Sequence, residues 1–434
     1  MSIRRLMLAL SLLAAAVCAQ AQPLVVQAGK LLDRPEAPPR GPATLLVKDG
    51  VITEVRDGHH GPEAFNAAGA RLVDLREHFV LPGLIDSHVH LTSDVGGIAG
   101  QLAEVQRSPA DNALEAAVNA RKTLAAGFTT VRNLGDGDGE IRALRDAINA
   151  GKLPGPRILT ANSSISATAG HGDPTLGYRE ELHAAVDTGG NVCDGVDSCR
   201  KAVRRQIAQG ADVIKLSITG GVNSRISAGL GAQMFEDEAR AVVDTAHLYG
   251  KKVAVHAHGP DGINLALRLG VDSIEHGTLL DADGLKLFRE SGAYYVPTLS
   301  TVNGYLERLE ANPGAYTGEV LEKVQWRIGI TGKALQRAVP AGVKIAFGTD
   351  AGVSLHGRNA DEFGLMVKHG MTPTQAIVAA TRNAADLLGL GDKIGSLEPG
   401  KQADLIAVRG NPLEDVGVLK QVELVMKGGE VVER

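Results

Sequence analysis

Leu81-Pro-Gly-Leu-Ile-Asp-Ser-His-Val-His90 decides how the rest of this chain is read. It follows strand-forming residues from Phe79, and residues two apart on a strand project to the same face. His88 and His90 therefore leave one strand end together, in a geometry suited to a metal ion. The pair alone fits two polar loop histidines equally well. Four more apolar runs downstream carry metal-competent residues: Lys215 in Asp212-Val-Ile-Lys, His256 in Val253-Ala-Val-His, His276 in Ser273-Ile-Glu-His and Asp350 in Ile345-Ala-Phe-Gly-Thr-Asp. Each alone has an ordinary explanation, such as a core histidine or a helix cap. Their recurrence at equivalent strand ends does not.

Counting the histidine strand, eight short strands begin near Val80, Phe128, Arg157, Asp212, Lys252, Ser273, Tyr294 and Val343. Helical stretches at Ala110–Ala126, Asp197–Gln209, Glu236–Tyr249 and Gly262–Leu269 lie among them. Each is followed by a glycine, a common helix stop. Strands alternating with helices over about 300 residues give the pattern of a (β/α)8 TIM barrel at 80–391. A doubly wound sheet is the alternative, but no Gly-x-Gly-x-x-Gly follows a first strand. Short strands flank this region at Leu24–Gln27, Ala43–Val47, Val51–Val55, Leu72–Asp74, Ala403–Val408 and Val422–Met426. Neither flank is long enough for its own sheet, so 22–79 and 392–434 are expected to pair into one small β-sandwich domain.

Residues 1–21 are expected to be a secretory signal peptide. Arg4 and Arg5 precede an apolar run from Leu6 to Val17, with Ala19-Gln-Ala21 at the cleavage position. Cys18 raises a lipoprotein alternative, but Val17 stands where a small residue is wanted. Cleavage leaves 413 residues, removes two bases and no acid, and shifts the formal net charge from −5 to −7. That balance, without a basic cluster, argues against nucleic acid and anionic membrane surfaces. The expected location is exported, periplasmic or secreted. In an oxidising compartment Cys193 and Cys199 are candidates for a short-loop disulfide.

In a barrel, the C-terminal strand ends face the active site, so His88, His90, Lys215, His256, His276 and Asp350 would converge there. An ammonium beside divalent metals is repelled and poorly solvated, so Lys215 would lose its proton and could capture carbon dioxide as a carbamate. The competing reading is a snorkelling or salt-bridged lysine. His171, Ser93 and Val222 fall near the mouth as candidate substrate contacts. His59, His60, His183, His247 and His369 fall in turns or helices and are read as ordinary.

These motifs, with Ile214-Lys-Leu, His256-Ala-His258-Gly, Phe347-Gly-Thr-Asp350-Ala-Gly and Gly400-Lys-Gln-Ala-Asp-Leu, resemble the amidohydrolase superfamily in its binuclear, carboxylated-lysine branch. The resemblance runs from Leu24 to Val432. It is nearest to the exported Xaa-Pro dipeptidase-like group and to bacterial amidohydrolases that split ochratoxin A into ochratoxin α and phenylalanine. It implies two zinc ions, with manganese or cobalt as substitutes, and N6-carboxylysine at Lys215. It also implies a homo-oligomer, up to an octamer. His88, His90 and Asp350 would hold one metal, His256 and His276 the other, with Lys215 bridging. Asp350 would shuttle the proton. His258 would donate to the substrate carbonyl, with a ligand role or a structural one as the alternatives. The expected reaction is amide cleavage that releases a C-terminal amino acid, from ochratoxin A or a dipeptide. A cyclic amidase acting on imidazolone rings and a catalytically silent ligand-binding barrel are the further readings.

Overall fold

The structure, a computed structural model, describes residues 22–433 apart from 138, 188, 226–228 and 317. The expected signal peptide lies outside the described residues. Four strands open the fold: β1 (Leu24–Leu31), β2 (Ala43–Lys48), β3 (Val51–Asp57) and β4 (Arg71–Pro82). Eight follow: β5 (Leu84–Val89), β6 (Phe128–Asn133), β7 (Arg157–Thr160), β8 (Ile214–Ser217), β9 (Val253–Ala257), β10 (Ser273–His276), β11 (Tyr294–Val296) and β12 (Lys344–Ile345). β13 (Leu405–Val408), β14 (Val422–Lys427) and β15 (Glu430–Val431) close the chain.

Strands β5 to β12 pair in parallel and in chain order, as one arc of three and one of five. Backbone hydrogen bonds connect the arcs at both seams. Ile165, just past β7, donates to the Lys215 carbonyl and accepts from the Ser217 amide, both at 2.8 Å. On the opposite side Ser87 donates to Phe347 at 2.9 Å and Asp350 to the His88 carbonyl at 2.7 Å. β5, β6, β8, β9 and β10 are buried along their whole length. Parallel strands covered on both faces are buried in this way, their polar side chains included.

The helices begin and end where local chemistry directs. Pro109–Ala125 opens on a capping box between Ser108 and Asp111. It closes at Gly127, whose φ of 97° suits glycine. Val196–Ala208, Glu236–Leu248 and Pro260–Arg268 fall within two residues of their expected bounds. Cys193 and Cys199 are joined as a disulfide at the start of Val196–Ala208. Among the described residues, no helix is long and apolar enough to cross a membrane.

The two chain ends do share a sheet, but it is one seven-stranded sheet and not the expected pair of stacked sheets. Its order is β15-β14-β13-β4-β1-β2-β3. β4 joins the two ends, pairing in parallel with β1 and antiparallel with β13 out to Pro82. One continuous ladder therefore replaces two layers. The sheet rolls over its own apolar face: Ile52 donates to Lys401 and Ala403 to Gly50, both at 2.8 Å, returning β3 to the segment before β13. Val26, Leu45, Ile52, Leu405 and Met426 fill the inside of the roll. Phe79, Leu81, Ile406 and Val425 of the other face pack on the eight-stranded unit.

Candidate active site

Strand geometry brings the six expected ligands together. His88 lies near the end of β5 with His90 just beyond it, and Lys215 sits within β8. His256 is near the end of β9, His276 closes β10, and Asp350 follows β12 by five residues. His276, Asp350 and Thr298 adopt positive φ of 71°, 58° and 48°. This left-handed backbone costs a side-chain-bearing residue about 1–3 kcal/mol, and such residues cluster at functional sites.

Ring nitrogens pointing away from the centre are tied down. His88 Nδ1 meets Glu275 Oε2 at 2.8 Å, His90 Nδ1 the Gly135 carbonyl at 3.1 Å, and His276 Nδ1 Thr298 Oγ1 at 2.7 Å. His258 Nδ1 meets Thr278 Oγ1 at 2.8 Å. Such ties orient metal-ligating imidazoles and fix their tautomers. Nε2 of His88 and of His90 lie 3.5 and 3.2 Å from Asp350 Oδ1. Donor atoms of His88, His276 and Asp350 lie within 4.8 Å of one another, as do those of His256, His258 and His276. His276 belongs to both groups, so the two clusters adjoin. His256 and His258 both reach the second one.

Burial pushes the His88 ring down to about 4, with Lys215 adding to the shift. His256, His258 and His276 fall well below the usual histidine range, again chiefly through burial. The rings are thus neutral near pH 7, the form a metal requires. Burial alone would raise the Asp350 carboxyl, but His88, His90 and Lys215 outweigh it and hold it at about 2. Neutral imidazoles, an ionised carboxylate and tied outer nitrogens fit divalent metal ions.

Lys215 is the least conventional member. It is buried, and among the described residues its Nζ has no hydrogen-bond or ion-pair partner. Burial lowers its pKa to about 8, although Glu275 and Asp350 pull the other way. The snorkelling and salt-bridged readings have no support in these surroundings.

Behind the ligands lies a charged layer to which the sequence reading assigned no role. Glu275 accepts from Arg132 Nη2 at 2.9 Å and Ser273 Oγ at 2.5 Å, besides meeting His88. Arg132 Nε also donates to the Ser87 carbonyl at 2.6 Å. Arg132 and Glu275 are both fully enclosed. Arg132→Met would leave Glu275 without its counter-charge, and we expect a loss of about 3–5 kcal/mol in denaturant unfolding. An unchanged midpoint and slope would show that the pair is dispensable. Asp86 has a parallel role. Its carboxylate accepts from Thr349 Oγ1 at 2.6 Å, Asn359 Nδ2 at 2.8 Å and the His88 amide at 3.1 Å, locking the Asp350 loop to β5.

The six candidate ligands floor an inner cavity of about 230 Å³, whose walls include Val222, Asn223, Tyr305 and Arg327. It adjoins an outer pocket of about 560 Å³, and His171 and Asn223 border both. His171 stacks on His256 with ring centroids 4.0 Å apart, and its Nδ1 meets Ser224 Oγ at 2.7 Å. Ser93 lines only the outer pocket, where its hydroxyl donates to the Val95 carbonyl within a turn. His356, which the sequence reading passed over, meets the His90 carbonyl through Nε2 at 3.0 Å and steadies that ligand.

Residues 79–432 match the amidohydrolase family. The chain belongs to the amidohydrolase family. As an amidohydrolase it is a hydrolase acting on carbon–nitrogen bonds. It is 33% identical over 428 residues to an ochratoxinase of Aspergillus niger, covering 95% of this chain and 87% of that protein. Among solved structures, it is similar to a Xaa-Pro dipeptidase with methionine bound in its active site. That likeness has a TM-score of 0.88 and 40% identity, over 95% of this amidohydrolase and all of that chain. A prolidase complexed with N-methylphosphonate-L-proline gives a TM-score of 0.85 and 30% identity, again over 95% and 100%.

Proposed function

We propose that this amidohydrolase is a binuclear zinc enzyme that cleaves an N-acyl or aminoacyl amino acid and releases the C-terminal residue. Its two strand arcs would close as a (β/α)8 barrel at 80–391, with 22–79 and 392–434 as the small β-domain. The observation that carries the reading is the placement of buried, unpartnered Lys215 beside two adjoining donor clusters. His88, His90 and Asp350 would hold one metal, His256 and His276 the other, and carboxylated Lys215 would bridge them. When bound, the metals supply an acidified water and polarise the amide carbonyl.

The chain's own residues would do the rest. Asp350, beside the His88 and His90 rings, accepts the proton of the attacking water and returns it to the leaving nitrogen. His258 Nδ1 meets the Thr278 hydroxyl; with that hydroxyl donating, the ring's proton would lie on Nε2, ready to donate to the carbonyl oxygen. Val222 supplies an apolar wall, and His171 keeps His256 in place by stacking on it. The Cys193–Cys199 disulfide supports an exported, periplasmic or secreted location, and a homo-oligomer is part of the reading.

Ochratoxin A, an amide of phenylalanine, is the proposed substrate. The second reading is a Xaa-Pro dipeptidase, favoured by the 40% identity to a protein of that name. Mass-spectrometric product analysis with ochratoxin A and a dipeptide panel separates them. Phenylalanine released from ochratoxin A at a rate competitive with the best dipeptide supports the first. Rapid dipeptide cleavage with ochratoxin A untouched transfers the assignment to the second. No cleavage of either class removes both.

A further inference from the structure

A cavity floored by metal ligands needs a second feature to select which amides enter, and Arg327 is placed to provide it. It lies on the helix Gly318–Ile330, is 3% exposed, and lines the inner cavity together with the histidine cluster. Nη1 donates to Thr331 Oγ1 at 3.2 Å and Nη2 to the Thr298 carbonyl at 3.4 Å, both neutral acceptors at long range. Among the described residues no carboxylate pairs with it. A buried guanidinium without a counter-charge is costly, and its planar fork matches a carboxylate.

The other cations nearby are committed elsewhere. Arg132 pairs with Glu275 and Arg225 with Glu104. Lys323 donates to the Gly221 and Ser224 carbonyls, and Arg308 to Tyr316 and two carbonyls. Lys215 and Arg327 are the two lysine or arginine side chains lining the inner cavity. Tyr305 lines the same cavity, on the helix Thr301–Ala311. Among the described residues its hydroxyl donates to no protein atom, and it accepts from Asn223 Nδ2 at 3.4 Å.

We infer that Arg327, with the Tyr305 hydroxyl, binds the free α-carboxylate of the residue that is released, and so restricts the enzyme to substrates ending in an unmodified amino acid. This rests on the amidase reading above and names the group that sets its substrate class. In this arrangement the scissile carbonyl lies at the histidine end of the cavity. The carboxylate points to the guanidinium, and the side chain of the leaving residue lies between, against Val222.

The test compares N-acyl-L-phenylalanine with its C-terminal carboxamide in the zinc-loaded enzyme, for the wild type, Arg327→Gln and Arg327→Lys. We expect the wild type to prefer the free acid on the order of 100-fold in kcat/KM. That preference should fall below about tenfold in Arg327→Gln and take an intermediate value in Arg327→Lys, with metal content unchanged in both. Wild-type cleavage of acid and carboxamide at equal rates overturns the inference and leaves the amidase reading intact. So does an undiminished preference in either folded variant. If the wild type cleaves neither compound, calorimetric titration with L-phenylalanine and L-phenylalaninamide decides independently of catalysis. Tighter binding of the acid that disappears in Arg327→Gln, or is weakened in Arg327→Lys should the first variant not fold, supports the carboxylate site. Equal binding of both probes overturns it.

Discussion

Lys215→Ala is expected to lose its bridged metals and on the order of 10⁴-fold in kcat/KM, while the fold survives. The size of the effect follows from where Lys215 sits. It is buried beside His88, His256, His276 and Asp350, and among the described residues no group pairs with its amine. A charged ammonium there would repel two divalent ions. A lysine whose pKa is lowered to about 8 is neutral often enough to capture carbon dioxide. A carbamate would reverse the charge at that point and offer two oxygens to bridge the clusters. Alanine removes this bridge but disturbs little packing, because the cavity is already open there. Added short carboxylic acids should restore part of both metal content and rate. Metal analysis beside steady-state kinetics checks this, and full retention of metal and rate in the variant would sink the bridging role.

Asp350→Asn is the second large effect. The carboxylate lies 3.2 Å from His90 Nε2 and 3.5 Å from His88 Nε2, and the surrounding rings hold it ionised. Asparagine preserves shape and can still accept a weak contact from a metal, but it cannot take up and return a proton. With metal supplied in excess, we expect kcat to fall by on the order of 10³–10⁴ and KM to change far less. A loss confined to KM would place the proton transfer on another group. His258, the one other residue proposed here to act on the scissile amide, would be examined next.

The sequence shows the candidate ligands because each interrupts or closes an apolar run, and a strand's two-residue period places their side chains. His88, His90, Lys215, His256, His276 and Asp350 are all legible in this way, and the structure gathers them. Arg132 and Glu275 are harder to find. They lie on strands whose pairing is non-local, so nothing in either segment tells which charge meets which. Opposite charges inside two otherwise buried strands were the available signal. Asp86 stands within the opening motif itself, yet its partners Thr349 and Asn359 are more than 260 residues away in sequence. Arg327 sits on a mixed helix whose composition gives no hint that one residue faces a cavity. Ser93, three residues beyond His90, lines the outer pocket and bonds within its own turn. The rolled seven-stranded sheet was only half legible. Short apolar runs at both flanks identify its strands, but whether they form one ladder or two depends on β4 bridging both chain ends.

The central claim is that amide cleavage here depends on two metals held by one site. The most direct measurement is to strip the purified protein with a chelator, titrate it with zinc, and follow release of the C-terminal amino acid at each addition. A two-metal site predicts no activity in the stripped protein and a rise that reaches its plateau at two equivalents per chain. Cleavage that persists without metal, or that is complete at one equivalent, would contradict it.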